Sequence, residues 1–134
     1  MDKIHKVLLV DDDNITNFIN IRLIRKMGIA EEVISSQNGA EALDYIKNKA
    51  SETQTCPELI LLDINMPVMN GFEFLEAFKN ADSCTKKPVV VILTTSSNEN
   101  DMLRLKQSAL VSGFLNKPLT EAKMQEVYKT HFAA

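Results

Sequence analysis

Leu59-Ile60-Leu61-Leu62 is apolar at every position and ends abruptly in Asp63. A strand with one face in water alternates apolar and polar residues, so this unbroken run predicts a strand covered on both faces, as in a parallel sheet flanked by helices. Pro67, which has no N–H to give, and Gly71 stop that strand and turn the chain towards a helix. Asp63 is thereby left at the strand's C-terminal lip, where open α/β sheets bind ligands. Taken alone, the same Asp equally well caps the loop that follows. The ends of the other strands decide between these readings.

The chain read in order supplies those ends. Val7 to Val10 is a second apolar run and stops at Asp11, Asp12 and Asp13. Ile15, Phe18, Ile19, Leu23 and Met27 recur at helical spacing and predict a helix from about Asn14 to Met27, closed by Gly28 in the left-handed conformation. Val33 to Ser35 reads as a short strand, followed by a helix capped by Asn38 with Ala42, Leu43, Ile46 and Ala50 inward. A third helix starts near Gly71 with Phe72, Leu75 and Phe78 inward. After Pro88, Val89 to Leu93 predicts a central strand ending in Thr94 and Thr95, and Asn98 with Asp101 opens a fourth helix whose apolar face is Met102, Leu105 and Ala109. Gly113 to Asn116 is a short fifth strand leading to Lys117 and Pro118, and Thr120 caps a last helix with Met124, Val127 and Tyr128 inward. Five strands alternating with five helices predict an α/β fold, a doubly wound parallel sheet with right-handed crossovers. Its strand order, 2-1-3-4-5, is borrowed from the flavodoxin-like (βα)5 class rather than read from residues.

Composition narrows the function. The chain has 134 residues, 45% hydrophobic and 25% charged, which suits one compact domain over residues 1–134 and leaves no room for an output domain. A net charge of -3 supplies no basic excess for phosphate backbones, so no nucleic-acid partner is expected. The longest apolar run is strand-sized and the amino terminus has no signal-peptide core, so neither a membrane role nor export is expected and the chain is placed in the cytoplasm. Cys56 and Cys84 have no metal-type spacing and are expected to be reduced thiols. His5 and His131 lie near the termini and are expected at the surface, and the lysines of the last two helices, Lys106, Lys123 and Lys129, in solvent.

A parallel sheet with these strands brings Asp11, Asp12, Asp63, Thr94 and Lys117 to one edge. Crowded carboxylates repel one another unless a cation joins them. Oxygen ligands without His or Cys suit Mg²⁺, which keeps several waters and takes one or two carboxylates with a main-chain carbonyl. Two of the three negative charges are met by the divalent ion and the third by Lys117. An acyl phosphate on Asp63 would add charge, which Lys117 meets as an ion pair and Thr94 as a hydroxyl donor. A carboxylate nucleophile beside a metal, a lysine and a hydroxyl is what phosphoryl transfer to aspartate requires.

The motifs Val10-Asp11-Asp12, Leu62-Asp63-Ile64-Asn65-Met66-Pro67 with Gly71, Leu93-Thr94 and Lys117-Pro118 together resemble the response-regulator receiver domain of two-component signalling, in its CheY-like single-domain form. The resemblance covers essentially the whole chain. It implies that Asp63 is the phosphoacceptor, that Asp12 binds Mg²⁺ directly and Asp11 through water, and that the Asn65 carbonyl completes the protein ligands. It further implies Thr94 and Lys117 as phosphoryl contacts, Phe114 as the switch aromatic, and a cis Lys117-Pro118 bond. The family's activity is its own aspartyl phosphorylation and dephosphorylation, with no other enzyme reaction. Its implied donor is a sensor histidine kinase or a histidine phosphotransfer protein, docking on Asn14, Ile15, Phe18 and Pro118, and its output is contact with a downstream protein or onward relay. Asn65 and Ser96 resemble positions that tune phosphoryl lifetime.

Three alternatives stand beside this reading. Asp11 to Asp13 could simply complement the dipole at the start of the first helix, a role that falls first to Asp13 or Asn14. Thr95 competes with Thr94 for the hydroxyl role, because Pro88 lies one residue further away than in relatives. A Mg²⁺-dependent phosphatase of the haloacid-dehalogenase type also forms an aspartyl phosphate after a strand, and Asp11-x-Asp13 superficially fits its opening motif, although Ile15 stands where that motif expects Thr or Val and Thr16 comes one place late.

Overall fold

The computed structural model describes residues 3–50, 56–66, 68–81, 87–95 and 99–132. The five strands are β1 (Ile4–Val10), β2 (Ala30–Ser36), β3 (Leu59–Leu62), β4 (Val89–Thr94) and β5 (Val111–Asn116). The helices between and after them are α1 (Asn14–Met27), α2 (Gly39–Asp44), α3 (Gly71–Ala81), α4 (Glu99–Lys106) and α5 (Glu121–His131). A wider π-helical turn, Tyr45–Ala50, continues α2. All strands are parallel, in the order β2-β1-β3-β4-β5. This is the doubly wound flavodoxin-like sheet expected, and its central strands β1, β3 and β4 are the unbroken apolar runs.

The sheet separates two core layers. Val7, Leu9, Leu59, Leu61, Val91 and Leu93 pack with Ile24, Met124, Val127 and Tyr128 on the side of α1 and α5. Leu8, Val10, Ile60, Leu62, Val90 and Ile92 pack with Ala42, Ile46, Phe74, Phe78 and Leu105 on the side of α2, α3 and α4. Successive side chains of a strand point to opposite faces, so an all-apolar strand feeds both layers. Phe74 and Phe78 stack at 5.6 Å, as expected of packing residues, while Phe72 carries the Arg104 guanidinium at 4.1 Å.

Local expectations hold at the caps. Asp13 accepts from the Ile15 N–H, Asn38 from that of Glu41 and Thr120 from that of Lys123, and Gly28 closes α1 at φ 68°. Several boundaries differ. β2 begins at Ala30 because pairing with β1, Ile4 opposite Ala30, recruits the exposed Glu31 and Glu32 of an edge strand that carries no apolar alternation. β5 likewise begins at Val111, and α4 stops at Lys106, leaving Ala109 outside the helix and exposed. Cys56 is disulfide-bonded rather than a free thiol, while Cys84, Ser96, Asn98 and Pro67 lie outside the described residues. His131 is half-buried over β5 rather than at the surface.

The apolar residues whose spacing marks α1 divide between its two faces. Ile15, Phe18 and Ile19 are 70%, 61% and 57% exposed, whereas Asn17, Asn20 and Ile24 are buried. Leu23 and Met27 do pack on the core. The helix is rotated so that 17, 20, 24 and 27 form its inner stripe, also a helical spacing. Burying a residue such as Ile or Phe is worth about 1.5–3 kcal/mol, so the orientation demands an opposing anchor. Asp13 caps the helix, and the Asn17 side chain ties it to the end of β1, as described below.

Candidate functional site

The three central strands bring the candidate residues to the C-terminal lip. Asp11 follows β1 and is buried; its N–H donates to Ser36 O at 3.1 Å, and its Oδ1 accepts from the Asp13 N–H at 2.9 Å. Asp12 points to solvent beside it. Asp63 follows β3 and is buried; its N–H donates to Val10 O at 2.9 Å, and its Oδ1 accepts from the Ile64 N–H at 2.9 Å. The carboxylate oxygens of Asp11, Asp12 and Asp63 lie within 4.8 Å of one another.

Lys117 comes from the β5–α5 turn, whose Lys117-Pro118 peptide is cis as expected. Its N–H donates to Thr94 O at 3.1 Å, which fastens the turn to the end of β4. Lys123, expected in solvent, instead donates its ammonium to Asn116 O at 2.7 Å and Pro118 O at 3.0 Å and closes the same turn. The Lys117 ammonium thereby stands 2.6 Å from Asp11 Oδ2 and 3.4 Å from Asp63 Oδ2. Thr94 is buried as the last residue of β4, which Leu62 opposite Ile92 brings beside β3. Thr95 is exposed and lies beyond the strand. Phe114 pairs with Ile92 and is half-buried against the α2–α4 layer; Asn65 and Pro118 are exposed.

The β3–α3 loop is held shut by close backbone approach. Gly71 N–H donates to Ile64 O at 2.9 Å, and Gly39 at the start of α2 donates to Met69 O at 3.0 Å. Within this loop Val68 has φ 68° and is 81% exposed. A left-handed conformation costs a β-branched residue roughly 1–2 kcal/mol, and Asn adopts it more readily. Val68→Asn is therefore expected to raise the free energy of urea unfolding by about 1 kcal/mol; an unchanged midpoint would mean that the loop carries no strain there.

Burial pushes the Asp63 carboxyl above the usual carboxylate range; Lys117 opposes this and the Asp11 charge adds to it. Burial acts to lower the Lys117 ammonium, but its hydrogen bond to Asp11 and the charges of Asp63 and Asp11 outweigh it and hold it above the usual lysine value. One ammonium among three carboxylates leaves two negative charges, which a divalent cation cancels. The donor set is all oxygen, with no His or Cys, and fits Mg²⁺. Asp13 is not part of it: its carboxylate accepts from the Ile15 N–H and the Thr16 hydroxyl, and these bonds hold it below the usual range. The clustered carboxylates are those of Asp11, Asp12 and Asp63, not the Asp11-x-Asp13 pair of the phosphatase motif.

Two residues that apolar periodicity did not mark also belong here. Asn17 Nδ2 donates to Asp11 O at 2.9 Å, and Asn20 lies one turn further along the same buried stripe. The i, i+3, i+7 spacing of Asn17, Asn20 and Ile24 was the signal, hidden because two of the three are polar.

The family described as the response regulator receiver domain matches residues 7–129. Probable methanogenesis regulatory protein FilR2 of Methanothrix harundinacea is 33% identical over 114 residues, covering 85% of this chain and 72% of that protein. Two-component response regulator 24 of Arabidopsis thaliana is 30% identical over 126 residues, 93% of this chain and 83% of its own. The crystal structure of a two-component response regulator from Cytophaga hutchinsonii is 34% identical and superposes with a TM-score of 0.85 over 96% of each chain.

Proposed function

Because the chain belongs to the response regulator receiver domain family and is a phosphoacceptor of two-component signalling, we propose that Asp63 takes the phosphoryl group and that the residues around it divide the work of the transfer. The observation that carries this assignment is the meeting of three carboxylates with the Lys117 ammonium, 2.6 Å from Asp11 and 3.4 Å from Asp63, at the lip of the sheet.

An Asp63 carboxylate oxygen attacks the phosphorus of a phosphohistidine; the new P–O bond forms as the P–N bond breaks, and the leaving imidazole takes up a proton from solvent. Asp11, Asp12, Asp63 and the Asn65 carbonyl would hold Mg²⁺, which supplies charge neutralisation for the transferring oxygens. Lys117 is already desolvated and paired, so it meets the added charge of the acyl phosphate by a short shift from Asp11. Thr94 donates its hydroxyl to the phosphoryl group; its place at the strand end favours it over the exposed Thr95. Phe114, half-buried opposite Ile92, is the aromatic that follows Thr94 in the switch. Beyond this self-modification we assign no enzyme activity.

The donor is a sensor histidine kinase or a histidine phosphotransfer protein of the cytoplasm. It docks on the exposed Ile15 and Phe18 with Asn14 and Pro118, an apolar face that the core leaves free. Ile19 extends that face, and Arg22 lies 5.7 Å over the Phe18 ring. The output is contact with a downstream protein or onward relay.

Intact mass after incubation with Mg²⁺ and acetyl phosphate tests the assignment. One added phosphoryl group is expected, absent in EDTA and in Asp63→Asn. An adduct that persists in Asp63→Asn would move the acceptor elsewhere. If neither acetyl phosphate nor a phosphorylated kinase leaves an adduct, the chain is a receiver that signals by binding alone.

A further inference from the structure

Behind Asp11 and Asp63, between the sheet and α1, lies a small chamber lined by these two residues, Asn17, Asn20 and the apolar Leu61 and Leu93. About 10 Å³ of it is open to the centre of a water molecule, and roughly 10–15 Å³ is what one water needs. The residues that close it are buried: Asn17 is 4% and Asn20 5% exposed.

The Asn17 carboxamide has a fixed sense. Its Nδ2 donates to the Asp11 carbonyl at 2.9 Å, and exchanging its two ends would set an oxygen against that carbonyl. Its Oδ1 is fully buried and, among the described residues, has no hydrogen-bond partner. A buried acceptor left unpaired forfeits the solvation it had in the unfolded chain, and native interiors rarely leave one so. A room for one water, walled by several polar groups and adjoining an acceptor that needs a donor, has the features of a hydrated internal site.

We propose that Asn17 is a positioning residue of the phosphoryl-transfer site and acts together with one buried water, which donates to Asn17 Oδ1 and bridges it to the polar wall formed by Asn20, Asp11 and Asp63. Lys117 and the cation hold the carboxylates from the solvent side. Asn17 and its water hold them from below, the amide through the main chain of Asp11 and the water across the chamber. This also explains why α1 buries two asparagines and leaves Ile15, Phe18 and Ile19 outside. The positioning role rests on the reading of Asp63 and its neighbours as a Mg²⁺-assisted phosphoacceptor site; the water does not.

The test uses the full chain and the variants Asn17→Leu and Asn17→Ser, with Mg²⁺ affinity followed by titration of backbone amide shifts and urea unfolding in EDTA measured alongside. A crystal structure of the parent is expected to show a water within hydrogen-bond distance of Asn17 Oδ1. Asn17→Leu, close in volume but without donor or acceptor, is expected to bind Mg²⁺ about tenfold more weakly, the usual scale for residues that orient metal ligands. Asn17→Ser leaves room for a second water to reach the Asp11 carbonyl, and is expected to recover to within about threefold of the parent. If Asn17→Leu does not fold, the serine variant and the parent structure carry the test. Parent-like Mg²⁺ affinity in Asn17→Leu overturns the positioning role. A dry chamber, or a serine variant as weak as the leucine one, overturns the water. A parent that loses Mg²⁺ affinity on Asn17→Leu yet never takes a phosphoryl group refutes the phosphoacceptor reading and leaves the positioning of the carboxylates standing.

Discussion

Asp63→Asn is expected to be harder to unfold than the parent in EDTA at neutral pH and easier to unfold than the parent in saturating Mg²⁺. Burial raises the Asp63 carboxyl, the attraction of Lys117 opposes this, and repulsion from Asp11 adds to it; the net direction is up. A group whose folded pKa exceeds its unfolded one stabilises the fold when protonated, so its contribution is complete below the ordinary carboxylate range near pH 4 and is lost as pH rises through the folded value. The neutral amide loses nothing over that window. In EDTA the gap should therefore open with rising pH, driven chiefly by the burial of the charged carboxylate. Mg²⁺ reverses the order, because binding to the folded state alone adds about 2.7 kcal/mol at a concentration one hundred times Kd, and the variant lacks one of the three carboxylates. Urea unfolding at several pH values, with and without Mg²⁺, checks both halves. A variant less stable than the parent in EDTA at neutral pH would mean that Lys117 outweighs burial.

Gly71→Ala is the second substitution with a large expected effect, and its sign runs against propensity. Gly71 opens α3, where exchanging Gly for Ala would add up to about 1 kcal/mol of helix stability if nothing else changed. A Cβ there would lie 2.5 Å from Ile64 Cδ1, 2.8 Å from Asp63 O and 2.9 Å from Ile64 Cα. The buried Ile64 side chain could turn, but the two backbone atoms cannot move without opening the loop, whose Gly71 N–H to Ile64 O bond would break. The expected loss is about 2–3 kcal/mol of stability, as for overpacking against a rigid wall. Because the displaced carbonyl belongs to Asp63, the proposed acceptor, the initial rate of phosphoryl uptake from acetyl phosphate should fall by about a hundredfold, as a misplacement of about 1 Å can cost. Parent stability with normal uptake would show that the loop yields easily.

Much of this architecture was legible before any coordinates. The apolar runs of β1, β3 and β4 marked the strands covered on both faces, and the polar residues that end them marked the site. Asp11, Asp63, Lys117 and Thr94 meet there because parallel strands all end on one side. What was hidden lies where burial and polarity disagree. The α1 pattern of Ile15, Phe18 and Ile19 is a good helical stripe that faces water, and the true inner stripe passes through Asn17 and Asn20. The first residues of β2 are strand only because β1 pairs with them, and the pairing of Cys56 depends on spatial proximity that spacing along the chain does not disclose. Lys123 looked like any solvated lysine until the β5–α5 turn placed two carbonyls within its reach.

The two-sidedness of α1 has an evolutionary consequence. Its inner stripe serves the core and the site, while Ile15, Phe18 and Ile19 contribute little to either. If the donor docks there as proposed, substitutions on that outer face would change which donor is heard without disturbing how the chain folds or the chemistry proposed for Asp63. Duplicated copies of such a gene are thus free to drift apart in their correspondents while keeping one chemistry, and separate signalling lines can be insulated from one another by a few changes on a single helix.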